Sequence, residues 1–478
     1  MHEPADAEPI AAAQPLEVPV NPAAAAEAVV PPVLTAAGRP ARDLPLRQLL
    51  SLSIYWLGIN AIWTGLHVLV LPKRMESIFG LGNAGLGLGL VTIAGVVTAI
   101  IVQPTVGAIS DYTISRWGRR KPYIVIGGLL DVVFLWALAS AETYLAILVA
   151  LVLLQFSSNF AQGPFQGYVP DLVPARQVGR ASALMGVMII LGGMAGAGIV
   201  ALGYLQLEVA ADVVAVQAAF YWPTIALGVL EVTTMIVLVL TVSEGRAAPD
   251  RGGRSWLQIA RSTWGTDILR ERSYVWLLFS RLCYLAMPGV ITAYAVFVLE
   301  RSFGLPPADA GPLLFLIGGL IAAGTALAVV PAAWLSDRVG RKRVIYISFG
   351  LAALGVSLLA AAPSVPMALA ALVPIGLSAG AFLTVDWALM TDIIPKATTG
   401  RYMGISNVAT ATAGPLGLTI AGVVLAVVTA AGLPAVGGSD VDSALLGAAP
   451  RASIAVTLVF IALAALALTR VDERRRED

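Results

Sequence analysis

Two apolar stretches carry polar residues at one shared spacing. Trp56, Asn60, Trp63 and His67 stand at i, i+4, i+7 and i+11, and Gln155, Asn159, Gln162 and Gln166 repeat that spacing. On a helix of 3.6 residues per turn each set forms one narrow stripe. Amides exchange hydrogen bonds with hydroxyl groups, and an indole ring covers the apolar face of a sugar. An amide stripe opposite a tryptophan stripe therefore suits a neutral polyol. The alternative is that the amides simply bond one helix to another. Asn60, Trp63, His67, Gln155, Asn159 and Gln162 are the candidate binding residues from these stripes, with Gln166 set towards one end of its helix.

Four ionisable residues also lie inside apolar stretches. Arg281 and Asp386 each sit about six or seven residues from the same end of their segments, which at 1.5 Å per residue is about 10 Å deep. Equal depth makes an ion pair plausible, since a lone charge there costs several kcal/mol or is neutralised. If Asp386 takes up a proton, Arg281 is released to bond a substrate hydroxyl, and proton and solute become coupled. A static structural pair is the alternative. Asp131 and Glu231 stand near the middle of their segments. Either is a candidate coupling carboxyl held neutral by desolvation, ranked after Asp386.

Other chemistry is excluded. One cysteine, Cys283, and two histidines leave neither a disulfide within the chain nor a metal-ligand set. There is no nucleotide-binding loop and no nucleophile–base arrangement, so neither an enzyme nor a resident cofactor is expected, nor a nucleic-acid partner.

The elements that position these residues follow from composition. The chain has 478 residues, 58% of them hydrophobic and only 12% charged, with mean hydropathy +0.84. Soluble chains carry about 25% charged residues. Windows close to the ~20 residues needed to cross a bilayer recur along the chain. They give twelve spans: 49–71, 82–110, 121–141, 143–169, 178–205, 215–242, 274–298, 308–335, 342–362, 366–392, 401–431 and 450–469. The charged segment 244–273 divides them into bundles of six, 46–243 and 274–470. Residues 1–45, rich in Pro, Ala and Glu, lack the basic start and apolar core of a signal peptide and read as a disordered tail; 471–478 form a second tail.

Arginine and lysine set the orientation. Arg39, Arg42, Arg47, Arg116, Arg119, Arg120, Lys121, Arg176 and Arg180 fall on one side, with the arginines of 246–272 and Arg338, Arg341, Lys342, Arg343, Lys396 and Arg401. The other side has Lys73, Arg74, Arg301 and Arg451. The positive-inside rule then places both termini and the 244–273 loop in the cytoplasm.

Two elements recur six spans apart. Ser110-Asp111 and Gly118-Arg119 match Ser336-Asp337 and Gly340-Arg341, the first copy being four residues longer between Asp and Gly. "PDLVPARQVGR" from Pro170 matches "TDIIPKATTGR" from Thr391, pairing Asp171 with Asp392. The halves are therefore structural repeats, the architecture of alternating-access transporters with a site near the midplane. Gly107, Asp111, Arg119, Arg120, Asp171, Asp337, Arg341 and Asp392 are candidate gating residues at the helix ends. Such charges hold the ends of the two halves together in one state, or serve only as topogenic charge.

A loop of the form G-x-x-S-D…G-R-[RK] between spans two and three resembles the signature of the major facilitator superfamily, over 46–470. The longer version here, "SDYTISRWGRRKPYI", is similar to plant sucrose carriers and their relatives among the glycoside–pentoside–hexuronide symporters. "QGPFQGYVPDL" (Gln162 to Leu172) resembles their fourth span and "GINAIWTGLHVLVLP" (Gly58 to Pro72) loosely their first. The resemblance implies an all-α membrane protein of twelve helices in two pseudo-symmetric bundles, with spans one, four, seven and ten lining a central cavity. It implies symport of a sucrose- or maltose-like sugar or glycoside with a proton, in the plasma (inner) membrane, by a monomer among lipids. One departure stands out. The sucrose carriers have an aspartate associated with proton coupling where this chain has Gln155, which does not titrate, so coupling by Asp386, Asp131 or Glu231, or none, stays open. Two alternatives remain: export of an amphipathic drug or metabolite, which predicts an apolar cavity, and a non-transporting sensor or scaffold, which predicts loss of the loop symmetry.

Overall fold

The computed structural model describes residues 43–174, 177–207, 212–244, 253–262, 271–393, 399–431 and 439–472. The expectation of disorder for 1–45 falls almost wholly outside them, as do 473–478 and most of the 244–273 loop. Among the described residues the secondary structure is helical, with no strand.

The first bundle is built from α1 (Leu46–Ser53), α2 (Tyr55–Gly65), a π-helical turn (Leu66–Val70), α3 (Leu71–Asp111), α4 (Lys121–Ser140), α5 (Tyr144–Gln166), α6 (Tyr168–Leu172), α7 (Val178–Tyr204) and α8 (Val213–Thr241). A short helix, α9 (Trp256–Ser262), lies in the connecting segment. The second bundle is α10 (Arg272–Phe297), a π-helical turn (Val298–Ser302), α11 (Pro307–Val339), α12 (Arg341–Ala361), α13 (Val365–Ile393), α14 (Thr399–Ala431), α15 (Ser439–Ala455) and α16 (Thr457–Thr469).

Leu46–Asp111 runs for 66 residues. At 1.5 Å per residue that is about twice the thickness of a bilayer. It breaks at Gly80, where φ is 71° and a residue with a Cβ would be strained, so the stretch supplies two crossings. With ten further apolar helices of sufficient length, twelve helices cross the membrane. The first crossing continues to Gly80, beyond the expected end at residue 71. Pro72 should interrupt it, but in the π-helical turn Leu71 N–H bonds Leu66 O, one residue further back than usual, which makes room for the proline ring. The last crossing, Gly447–Thr469, agrees with the expected 450–469; the helix that carries it, α15, starts at Ser439, and there is a break before α16.

Local chemistry sets the other ends. Thr143 and Asp212 cap α5 and α8 by accepting the N–H of Ala146 at 3.2 Å and Ala215 at 2.8 Å. Gly340, at φ 96°, joins α11 to α12. Leu90, Ile101, Trp136, Trp222, Leu327 and Val330 are exposed on the outside of the bundles, which suits lipid and not water.

Within the first bundle α2, α4 and α5 pack against α7 or α8 or each other, and within the second α10, α12 and α13 do so with α16 and α11. The bundles meet through α3 on α14, α7 on α11 and the Leu66–Val70 turn on α10. These cross-bundle contacts lie towards the Gly80 end. Gly85 and Gly89 bring α3 against Gly422 and Thr419, whereas the arginine-rich end of α3 packs inside its own bundle, Gly107 facing Gly163 and Gly95 facing Gln155. Among the described residues the halves thus touch at the Gly80 end and not at the arginine-rich end.

Candidate functional site

The stripe on α2 and the turn after it stays partly exposed at Trp56, Asn60, Trp63 and His67. Asn60 Nδ2 donates to Trp56 O at 2.8 Å, and His67 Nδ1 lies 2.8 Å from Trp63 O, an arrangement that puts the ring proton on Nδ1. On α5, Asn159 Nδ2 donates to Gln155 O at 2.8 Å and to Gln155 Oε1 at 2.9 Å, and Gln162 Nε2 donates to Ser158 Oγ at 2.9 Å. Every one of these bonds stays within its own helix. None ties one helix to the next, and Gln155 Nε2 and Asn159 Oδ1 have no partner among the described residues. Gly95 on α3 leaves the space that the Gln155 side chain fills. Gln166 stands apart, lining a recess with the loop charges.

Thr64 and Val68, in the same helical stretch as this stripe, line a cavity of about 250 Å³ whose other walls are Met194 of α7, Thr292 of α10 and Leu314 and Ile317 of α11. The cavity therefore lies between the bundles. Its lining is almost wholly apolar.

In the second bundle Arg281 of α10 and Asp386 of α13 form an ion pair, 2% and 1% exposed. Arg281 Nε also donates to Thr410 Oγ1 on α14 at 3.0 Å, and its guanidinium lies 5.1 Å from the ring centre of Trp387, which is itself exposed. Asp386 Oδ1 is buried without a partner. Thr410 and Trp387 escaped the sequence reading; the only hint was that Trp387 adjoins Asp386.

The two midplane acids, weighed separately in the sequence, stand together. Gly228 of α8 sits against Val132 of α4, and Tyr55 Oη lies beside Gly128, so Asp131 and Glu231 stand at one level across the α4–α8 contact. Ser157 of α5 donates to Asp131 Oδ1, and Tyr55 of α2 donates to Glu231 Oε1 at 3.0 Å. The sequence hides such a pair because α4 and α8 are 100 residues apart and neither acid belongs to a stripe.

The loop charges pair inside each half. Arg120 bonds Asp111 at 2.6 Å, Asp171 at 2.8 Å and Pro164 O at 3.1 Å, and Arg119 bonds Asp171 as well. Glu244, just past α8, accepts the N–H groups of Arg120 and Lys121 at the start of α4. Burial pushes the Glu244 carboxyl up, and those N–H groups and the neighbouring cations pull it back. In the second half Arg341 bonds Asp337 at 2.8 Å and Ser336 at 2.7 Å. Asp392 ends α13, but its side chain lies outside the described residues. No pair between the two loop clusters is present among the described residues, in keeping with the open arginine-rich end.

The closed end carries a network that the sequence reading missed. Lys73 Nζ lies 2.6 Å from Glu76 and 3.0 Å from Glu300; Arg301 bonds Glu76 at 2.6 Å; Tyr204 donates to Glu300 at 2.5 Å. Lys73 and Arg301 had been read only as charge bias. Lys73 and Glu76 follow one π-helical turn and Glu300 and Arg301 fall in the other, so the repeat places the two charge groups face to face.

Similarity to known proteins agrees with this geometry. A profile of the Major Facilitator Superfamily matches residues 49–417 and 316–478. The chain is 28% identical over 175 residues to the general alpha-glucoside permease of Schizosaccharomyces pombe, 33% of this chain and 30% of the relative. It is 29% identical over 126 residues to the sucrose transport protein SUT1 of Oryza sativa subsp. japonica, 22% of this chain and 23% of the relative. The chain thus spans less than a third of the length of these curated relatives. Among solved structures it is similar to a bacterial homologue of the human lysosomal transporter Spinster in an inward-facing, unoccupied conformation. The TM-score is 0.68 at 16% identity, over 90% of this chain and 98% of that one, a likeness of fold.

Proposed function

The chain belongs to the Major Facilitator Superfamily, and from that premise we propose that this transporter moves a sucrose- or maltose-like sugar or glycoside across the inner membrane by alternating access, in symport with a proton. The observation that carries the reading is the α5 amide pair. Gln155 and Asn159 bond only each other and their own helix, leaving a donor and an acceptor free, and Trp63 and Asn60 of α2 are partly exposed. Amides spent on helix packing would have their partners on other helices. Relatives named for alpha-glucoside and sucrose transport support the same class of solute.

With both termini cytoplasmic, the arginine-rich end faces the cytoplasm and the conformation is open inwards. Solute would meet Asn60, Trp63, His67, Gln155, Asn159 and Gln162 from the first bundle and Arg281 from the second. Protonation of Asp386 would free Arg281 for a hydroxyl, and the loop pairs at Asp111, Asp171 and Asp337 would re-form across the halves as the inner side closes.

A second reading has its own observation. The apolar cavity around Val68, Met194 and Leu314 suits an amphipathic solute better than a sugar. Proteoliposome uptake of labelled sucrose, maltose and monosaccharides, with and without an imposed pH gradient, separates the two. Saturable, gradient-stimulated uptake of one of them is expected. Its absence for all sugars, with transport of an amphipathic cation instead, would overturn the sugar reading.

A further inference from the structure

Asp131 and Glu231 are both 0% exposed. Each has one carboxyl oxygen with an ordinary donor, Ser157 for Asp131 Oδ1 and Tyr55 for Glu231 Oε1. Asp131 Oδ2 and Glu231 Oε2 have no protein donor. The two carboxyl groups nevertheless stand at one level of packed helices, since Gly228 sits against Val132 and Tyr55, the donor to Glu231, lies beside Gly128. Two ionised carboxylates side by side repel where no water screens them, and one hydrogen on the pair removes that repulsion. Among the described residues no cation neutralises the pair. The basic residues at the end of α4 are engaged elsewhere, Arg120 with Asp111 and Asp171 and Lys121 with Val239 O. Lys121 is also ten residues along α4 from Asp131, about 15 Å away. The groups facing the pair are Tyr55 from α2 and Ser157 from α5, neither of them charged.

We infer that Asp131 and Glu231 together form a binding site for one shared proton, and that this proton is exchanged during transport. The second clause rests on the symport reading above; the first does not. Two adjacent carboxyl groups hold a single proton tightly because the second ionisation would place like charges side by side in a medium without water. Loading is the bonding of one H⁺ to a carboxylate oxygen, and unloading is its return to water, with no other bond made or broken.

The site reports to the candidate sugar site through the two helices it touches. Tyr55 is five residues before Asn60, about 140° around α2, and Ser157 is two residues before Asn159, about 200° around α5. The hydroxyls that hold the proton pair thus lie on the backs of the two helices whose fronts carry the stripes. Gly58 lets α2 sit against the Glu231 backbone, and Gly127 lets α4 sit against Ser157, so there is little slack between acid pair and stripe. Loss of the proton leaves two facing anions, and their repulsion moves α8 from α4 and shifts Tyr55 and Ser157 with them.

The test has two arms. Infrared spectra of the purified, lipid-reconstituted protein should show the carbonyl stretch of a buried protonated carboxylic acid, shifted in D₂O. Asp131→Asn and Glu231→Gln should each shift that band, because the remaining acid then faces an amide in place of its partner carboxyl, and the double variant should abolish it. Tyr55→Phe, which keeps both acids, should move the band without removing it and serves if the charge variants fold poorly. A band that the single variants and Tyr55→Phe all leave unmoved, or that the double variant keeps, overturns the shared proton. In the second arm, a pH-sensitive dye records proton entry during uptake of labelled sucrose or maltose, with Asp386→Asn in parallel. Loss of proton entry per sugar in Asp131→Asn and Glu231→Gln supports the coupling role, and an unchanged ratio overturns it. If neither sugar moves, the sugar reading fails by itself, the coupling role fails with it, and the infrared arm still decides the proton site.

Discussion

Lys73, at the end of the first crossing where the bundles touch, reaches across the interface to Glu300 at the same end of the seventh, 3.0 Å away and almost fully buried. Glu76 and Arg301 extend the pair into an alternating chain of charges, and Tyr204 adds a hydroxyl. A buried pair is tolerated only where its geometry returns the cost of desolvation, and it breaks expensively when one partner is lost. This network fastens the halves on the side where they touch.

Glu300→Gln should therefore loosen the outer closure. Removing one partner of a buried pair costs roughly 3–5 kcal/mol, while about 1.4 kcal/mol suffices for a tenfold change in a conformational equilibrium. A cysteine placed at Thr64, on the cavity wall, in a Cys283→Ser background reports the change. Its labelling by an impermeant thiol reagent from outside should rise about tenfold or more. Labelling as slow as with Glu300 intact would sink the latch.

Gly85 tests the same closure by shape. An added Cβ would stand 2.2 Å from Tyr294 Oη and 2.6 Å from the Cα of Gly422. The tyrosine can swing away, but the backbone of α14 cannot move without parting the helices. Gly85→Ala should cost roughly 1–3 kcal/mol of the closed state and raise the outside labelling at Thr64. Gly186→Ala, where the added carbon meets nothing within 4 Å, is the control and should leave labelling unchanged. Equal behaviour of the two variants would count against close packing as what holds the outer side shut.

The fold was legible in the sequence to the extent that it is written in runs of apolar residues. Most of the spans, the twofold repeat of six spans and the turn at the loops follow from hydropathy and from recurring dipeptides, which are local signals. The stripes on α2 and α5 were legible for the same reason, since helical spacing is local too. Asp131 with Glu231, and Lys73 with Glu300, were not, because each pair joins residues that only the packing of distant helices brings together. The first crossing was underestimated at Pro72, where a π-helical turn absorbs what a proline ordinarily breaks. Arg281 with Asp386 lay between these cases: equal depth on two helices was readable, whereas Thr410 and Trp387 on the arginine were not.

The Arg281–Asp386 pair predicts a particular pattern in a double-mutant cycle. Asp386→Asn strands a buried guanidinium that keeps only Thr410 and the Trp387 face, and Arg281→Met strands a carboxylate; each should cost roughly 3–5 kcal/mol, lowering the melting temperature. The double variant removes both charges and should be more stable than either single one. Transport should not follow stability. If the pair participates in the cycle, the double variant melts near wild type yet fails to accumulate sugar against its gradient. Recovery of accumulation together with stability would reduce the pair to a structural role.

The amide pair on α5 offers the sharpest contrast between a sugar and an amphipathic solute. Gln155→Leu and Asn159→Leu keep the apolar bulk of the stripe but delete the donor and the acceptor that have no protein partner. A neutral hydrogen bond is worth about 1 kcal/mol, so each change should raise the half-saturating sugar concentration about five- to tenfold. Trp63→Ala should cost at least as much by removing the ring that covers the sugar face, with Trp63→Phe intermediate. An amphipathic solute held in the apolar cavity beside Val68 and Met194 would respond in the opposite sense, gaining or holding affinity in the leucine variants and losing it in Met194→Gln. Half-saturation constants for labelled maltose and for an amphipathic cation, measured on the same set of variants, distinguish the two. Leucine variants that leave maltose affinity unchanged would remove the amides from the binding site and leave the apolar cavity as the place where solute is held.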